Sequence, residues 1–510
     1  MDTAAATAAG GRAAVPRPSS EPDGTPAPPT GRAGVPAPGP TSEGTSPEKT
    51  APAPRRGAAL RAPRLDPYWL ALALFVLFAA VSVTRFRAMA TVSWDLGIFE
   101  QAVRGYAHLQ APTADLKGPG TNILGDHFSP VLVLLAPFYR LFPSGATLLV
   151  AQSALFALSA IPVTRAAARL LGRGRGAAVG IAYGLSWGLQ KAADFDFHEI
   201  AFAVPLIAFA LEAVLRRRWT AAVCWAAPLV LVKEDLGVTA AAIGVVILVR
   251  ARRAVPLAIG LVVFGLAAVA VTLGVIIPAF NGSGSYDYWN KLGGDGGPAP
   301  VIPVDTAIRT LLWLLLPTTG LLALRSPLLL VAVPTVGWRF VSHEDHYWGT
   351  DWHYNAVLMP VLFLALADVL PRLRAARRPW LRAYAHHLPA AALAAALALT
   401  TSLPLARLTE AATYEVPDAV PQAERLLAEI PDGATVEADI RPISRLAGRT
   451  RVLWIGDTRG IAPDYIALQT RPDRTPQQVL ADAAQRHPKA TYGVLGIRGE
   501  VIVLRRTSGG

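Results

Sequence analysis

Cysteine is almost absent: one, Cys224, in 510 residues. A single thiol excludes a disulfide framework, and its place inside an apolar run reads as a buried small residue. Charge is scarce as well. Only 16% of the residues are Asp, Glu, Lys or Arg, against roughly a quarter in ordinary soluble domains, so a string of soluble domains is excluded. The net charge of +12 does not signal nucleic acid, because basic and aromatic residues do not interleave. The chain also lacks a Gly-rich nucleotide loop, a repeat of solenoid length, and an apolar core after Met1 of the kind that makes a signal peptide.

What is present is apolar. Hydrophobic residues make up 52% of the chain, in many runs of roughly 14–25 residues, the pattern of a polytopic helical membrane protein. Residues 1–64 are rich in Pro, Ala, Gly, Ser and Thr. They hold too little apolar surface to offset their ordering entropy and read as a disordered tail. Arg55, Arg56, Arg61 and Arg64 precede the first apolar run and place that tail in the cytoplasm.

The later arginine clusters act as further inside markers: Arg165 to Arg175, Arg216 to Arg218, Arg250 to Arg253, Arg325, and Arg372 to Arg382. Spans near 68–85, 144–164, 176–190, 200–215, 219–232, 236–249, 255–278, 306–324, 326–341, 355–371 and 387–405 satisfy all of them, about eleven crossings. The run 129–142 is short and holds two prolines, and it reads as a juxtamembrane or re-entrant helix. As one helix, 219–249 would measure ~46 Å, too long for a ~30 Å hydrocarbon core. It reads as a hairpin with Lys233-Glu234-Asp235 at a recessed tip, a depth tolerated only beside a water-filled cavity.

Beyond residue 405 the composition turns polar and mixed. Strands are expected at Thr435–Ala438, Arg451–Ile455, Tyr465–Leu468 and Val501–Arg505, helices at Ala419–Glu429 and Pro476–Gln485, and turns at Pro431-Asp432-Gly433 and Arg498-Gly499. The expected organisation is a disordered cytoplasmic tail (1–64), an all-α membrane bundle (65–405) and a small extracytoplasmic α/β domain (406–510).

Threaded this way, four stretches rich in carboxylates reach the outer side: Trp94-Asp95-Leu96-Gly97, Gly125-Asp126-His127-Phe128, Asp194-Phe195-Asp196-Phe197-His198-Glu199 and Lys233-Glu234-Asp235. Ionisable residues at membrane depth are costly and default to a functional reading. Alternation in an extended segment would put Asp194, Asp196 and His198 on one side, with both phenylalanines anchored in the interface. A hairpin-tip lysine flanked by Glu234 and Asp235 suits a phosphate. The loop His343-Glu344-Asp345-His346 with Asp351, Trp352, His353 and Tyr354 fits no common zinc spacing, and its aromatics suit the wall of a pocket. Gly282–Pro300, with Tyr286, Tyr288 and Trp289, reads as a lid over the same cavity. Asp and His are plausible ligands for a divalent cation, but no spacing here dictates one, so the cofactor stays open.

An acid just after the first span, then a loop ending in Asp126-His127-Phe128-Ser129-Pro130 ahead of an apolar helix, resembles the membrane-embedded C-type glycosyltransferases (GT-C), such as protein mannosyltransferases and lipid A aminoarabinose transferases. The ordered set Trp94-Asp-Leu-Gly-Ile-Phe-Glu-Gln101, Asp126-His-Phe-Ser-Pro130, Asp196-Phe-His-Glu199 and Lys233-Glu-Asp235 resembles more closely a bacterial multi-pass family known as a domain of unknown function. That likeness runs over roughly residues 68–360.

The GT-C resemblance implies a polyprenyl-phosphate sugar donor, Asp95 as catalytic base, and Asp194 or Asp196 as the second acid. Where the GT-C pair is Asp-Glu, this chain has Asp95-Leu96. On this reading Asp95 and Asp196 are catalytic, and Asp126, His127, Asp194, His198, Glu199, Lys233, Glu234, Asp235, His353 and Tyr354 bind substrate. The expected partners are the bilayer and the lipid-linked sugar, with the acceptor open. Two rival readings stand beside it. One is a transporter or flippase of a lipid-linked or charged solute, although no inverted repeat is seen. The other is a membrane scaffold with an outer binding domain.

Overall fold

A computed structural model describes residues 63–288 and 301–509; the proline-rich tail and most of the expected lid lie outside them. Eleven helical stretches follow the eleven expected runs. Among the described residues three helices are long and apolar enough to cross a membrane: Asp66–Arg87 (α1), Gly145–Leu171 (α3) and the continuous helix Arg252–Phe280. At 1.5 Å per residue, α1 reaches ~33 Å, about one hydrocarbon core. Between α1 and α3 lies α2, Trp94–Ala107. The other helices of the bundle include α4 (Arg173–Gly184), α5 (Trp187–Phe195), α6 (Ala203–Leu215), α7 (Trp219–Ala226), α8 (Leu236–Arg250), α9 (Val255–Val271, the main part of the third long helix), α10 (Val304–Thr319), α11 (Leu358–Leu373) and α12 (Pro379–Thr400).

The helix α3 is the central post, packed against α1, α4, α6 and α11. Ser144 caps it, its hydroxyl accepting from the Ala146 N–H, and Gly172 at φ 89 ends it. The Arg252–Phe280 helix behaves differently, with only 17% of its apolar window buried. An apolar helix with so little of its surface covered presents it to lipid. Its regular winding gives way to a π-turn at Thr272–Ile276 just before Pro278.

Several sequence expectations change in detail. Cys224 is exposed, because α7 turns that face away from the bundle. The last helix starts at Pro379 rather than near 387: proline suits a first helical turn, so part of the arginine cluster is wound into the helix. Segment Pro130–Leu141 is short, and Val133, Leu134, Phe138 and Leu141 are exposed along it.

The C-terminal region forms a five-stranded sheet in the order β2-β1-β3-β5-β4. Its strands are Thr435–Ala438 (β1), Arg451–Trp454 (β2), Tyr465–Gln469 (β3), Thr491–Arg498 (β4) and Val501–Ser508 (β5). β1 pairs parallel with β2 and β3, and β5 pairs antiparallel with β3 and β4. The helices are Ala419–Leu427 (α13), Ile440–Leu446 (α14) and Pro476–Arg486 (α15); a capping box built on Thr475 and Gln478 starts the last. One face of this layer shares a core with α2 and the loop after it, where Ile98, Ala102, Leu116 and Ile123 pack with Val436, Ala438 and Ile443. Gly97 permits that approach, since a Cβ there would lie 2.4 Å from the Ile443 side chain.

Candidate active site

The end of the bundle nearest the C-terminal sheet encloses a cavity of about 590 Å³ lined by residues from all four carboxylate stretches. Asp95 enters it from the first turn of α2. Ser93, left-handed at φ 62, turns the chain into that helix. The Asp95 carboxylate lies 3.3 Å from His198 Nε2. Burial works against its charge, but the hydrogen bond and charge of His198, with Lys117 and Lys233 farther off, outweigh it and hold Asp95 below the usual carboxylate range.

His198 is fixed from several directions. Its ring lies near-parallel to those of Phe195, at 5.1 Å, and His353, at 3.5 Å, which are themselves 5.8 Å apart. Its backbone N–H donates to Gln152 Oε1 at 3.0 Å, and the Gln152 amide in turn donates to the carbonyls of Asp196 and Ala192. Burial, with the charges of His198 and Lys233, holds His353 well below its ordinary value and therefore neutral.

The hairpin tip supplies the opposite wall. Lys233 Nζ pairs with Glu199 at 2.9 Å. Glu234 accepts from His127 Nδ1 at 2.8 Å, from the Phe128 N–H at 3.2 Å and from Tyr286 at 3.0 Å. These bonds tie together the end of the loop before Phe128, the hairpin tip and the start of the expected lid. Asp235 lines the cavity beside them. The tip is therefore held by partners on other elements, not by a salt bridge within itself.

Nine of the twelve sequence-predicted site residues line this space: Asp95, His127, His198, Glu199, Lys233, Glu234, Asp235, His353 and Tyr354. Three do not. Asp194 is held outside by Arg85, at 2.9 Å, and Arg407, at 2.7 Å. Asp126 pairs with Lys117 at 3.2 Å and lines a neighbouring polar recess. Asp196 is buried behind the wall, its carboxyl pushed up to about 7 by burial, with the like charge of Asp95 adding to the rise and His198 opposing it. The expected alternation fails because α5 runs through Phe195, so Asp194 ends a helix while His198 belongs to extended chain. Neither phenylalanine sits as a free interfacial anchor: Phe195 stacks on the cavity histidines, and Phe197 is buried against Phe99.

Sequence reading passed over four residues that complete the site. Lys117 reaches the cavity from the first loop, its Nζ 3.2 Å from the Tyr288 hydroxyl. Gln152 and Arg85 position the chain around His198 and Asp194. Arg339 is fully buried, and its guanidinium donates to the Tyr347 and Gly349 carbonyls and to Asn355, which holds the aromatic loop in place. A polar residue within an apolar run was the one available signal for Gln152 and Arg339.

The wall is graded in polarity. Lys117 and Lys233 bring cationic groups, Tyr288 lies against Lys117 and His127, and the rings of Trp94, Trp352 and Tyr354 line the wall as well. Val238, Val269 and Leu273 form an apolar side, and the last two belong to the helix that faces outward. Among the described residues no group of three or more His, Cys, Asp or Glu side chains is arranged to hold a metal ion. The arrangement can accept a proton at Asp95, neutralise an anion at the lysines and admit a chain along the apolar side.

The sequence pattern of the family described as "Predicted membrane protein (DUF2079)" matches residues 85–503. No curated protein matches. Among solved structures, ArnT from Cupriavidus metallidurans bound to undecaprenyl phosphate is similar in fold, with a TM-score of 0.53 and 13% identity over 85% of this chain and 97% of that one. The same protein in the apo state gives 0.50 and 13%, over 85% and 98%. The likeness carried by the four ordered motifs is thus found in the family match, and the likeness to a GT-C aminoarabinose transferase is found in the fold alone.

Proposed function

The chain belongs to the DUF2079 family of predicted membrane proteins, and from that premise we propose that it is a GT-C-like glycosyltransferase of the cell membrane. It takes a sugar from a polyprenyl-phosphate donor at the outer face and passes it to an acceptor. One observation carries the reading: a single cavity holds a carboxylate backed by a histidine, two lysines, and an apolar side continuous with a lipid-facing helix. The undecaprenyl phosphate bound by ArnT agrees with such a ligand.

In this mechanism Asp95 takes the proton of the acceptor hydroxyl as it attacks the anomeric carbon. Its depressed basicity keeps it ionised, and His198 holds the carboxylate in place. Lys233 and Lys117, with His127 beside them, neutralise the departing lipid phosphate. Asp196 acts from behind, through the charge it adds near Asp95 and His198. Aromatic rings on the wall stack against the sugar.

The proposal keeps about eleven crossings, a cytoplasmic N-terminus with residues 1–64 as its tail, a membrane domain over 65–405 and an extracytoplasmic domain over 406–510. The test is sugar transfer by purified protein from a polyprenyl-phosphate sugar, scored against Asp95→Asn. Binding without transfer by the wild type would favour a transporter or scaffold and end the enzymatic reading.

A further inference from the structure

The opposite end of the bundle carries a second cavity, about 750 Å³ in volume, between the end of α3, the end of α11 and the start of α12. Its lining includes Arg374, Arg382, His386 and His387, with Leu170 and Pro371 beneath them, and no carboxylate. Arg175 extends the basic rim, its Nη2 lying 2.9 Å from His386 Nε2.

Some arginines at this end have carboxylate partners. Arg173 pairs with Asp66 at 2.7 Å, Arg165 with Glu212 at 2.7 Å, and Arg250 with Asp368. Among the described residues, no carboxylate pairs with Arg374 or Arg382. Arg374 Nε is buried without an acceptor, and a buried donor in that state is costly unless an anion meets it. The same helix start exposes Trp380 and Tyr384, the aromatic types that settle at a membrane interface. Arginines that only set topology have no need of a shared cavity, whereas these converge on one.

We propose that this cavity binds the phosphate headgroup of an anionic phospholipid, with Arg374 and Arg382 on the phosphate and an acyl chain running down past Leu170. On the orientation proposed above this is the inner leaflet, whose anionic lipids favour basic pockets between helices. The inference is independent of sugar transfer.

The test is native mass spectrometry of the purified full-length chain, delipidated and titrated with phosphatidylglycerol or phosphatidylcholine. Phosphatidylglycerol should bind at least about tenfold more tightly, and Arg374→Gln/Arg382→Gln should weaken it by roughly 30-fold, given the contribution of each arginine near a charged lipid. The pair Arg377→Gln/Arg378→Gln removes the same charge beside the cavity but not from its lining, and should cost less than about threefold. Arg374→Lys/Arg382→Lys should retain most of the binding, and melting temperature checks that each variant is folded. Equal loss from the two Gln pairs would reduce the effect to diffuse surface potential and overturn the site. Equal affinity for the two lipids would overturn it too, and displacement of the lipid by equimolar inorganic phosphate would reassign the cavity to a soluble anion.

Discussion

Two of the places where described residues bury carboxylates do so in opposite ways. In the C-terminal sheet, Glu437 has no exposed surface and is saturated: the Gly456 N–H, Arg486 Nε and His487 Nε2 all donate to it, at 2.9, 3.0 and 2.8 Å. In the bundle's cavity the carboxylates and cations also meet, yet they surround open space, and Asp95 keeps 30% of its side chain exposed. Burial of charge is therefore not what marks a site. A structural carboxylate has its lone pairs filled by the fold, whereas a working one is held by part of its valence and turns the rest toward a ligand.

The contrast is tested most severely by paired substitutions. Asp95→Asn keeps the size and most of the hydrogen bonding but removes the proton acceptor. Transfer by purified protein should fall by ~10²–10⁴-fold with little change in donor binding. Wild-type-like turnover by a folded Asp95→Asn protein would remove Asp95 from the mechanism and erase the distinction drawn here.

Glu437→Ala should do the reverse. It leaves Arg486 and His487 facing a buried gap, a loss of about 3–5 kcal/mol in stability, while transfer per folded molecule stays at the wild-type rate. Thermal melting and active fraction separate the two effects. A rate loss in the folded fraction would mean that the sheet communicates with the cavity.

Part of the cavity and of the sheet was legible beforehand, and the rest was not, for two reasons. Asp95, His198, Lys233 and the strands β1, β2, β3 and β5 announced themselves through local motif or alternation. Strand β4 did not, because Gly493 and Gly496 interrupt its pattern. Gly496 is needed there, since a Cβ would lie 2.7 Å from the Leu426 side chain, and the pairing is irregular around it. Asp194 resembled its neighbours in sequence, but its partner Arg407 lies 213 residues away. Gln152 binds the Asp196 carbonyl across 44 residues. No period or spacing encodes such pairs; only packing brings them together.

Glu100 stands between the two cases and sharpens the comparison. It is buried on α2 under Gly448, where Tyr139 donates to it at 2.9 Å. Burial raises its pKa from 4.5 to about 7, against opposing contributions from Tyr139 and Arg104. The folded protein thus holds a proton that the unfolded chain has released between those two values. Stability should fall as pH rises from about 4.5 to about 7, by about 3 kcal/mol at most, and stay lowered above that window. Glu100→Gln should remove this slope, raising the melting temperature at pH 8 and changing little at pH 4. A variant that melts with the wild-type pH dependence would show that Glu100 is already ionised in the fold.

The smallest expected effect asks how far the donors on Glu234 are structural. Tyr286→Phe deletes one of its three partners and leaves His127 and the Phe128 N–H in place. A neutral donor to a charged acceptor contributes about 1.5–3 kcal/mol when its loss strands the acceptor. Here two donors remain and the cavity can supply water, so the cost to stability should be about 1 kcal/mol or less. Its readout is donor affinity. If Tyr286 anchors the start of a closing segment to the hairpin tip, the donor should bind several-fold more weakly while the rate at saturation is kept. If Glu234 behaves like Glu437, a saturated structural carboxylate, the melting temperature should drop and affinity should not move. The ratio of these two shifts therefore assigns Glu234 to one class or the other, and a change in neither would detach Tyr286 from the site.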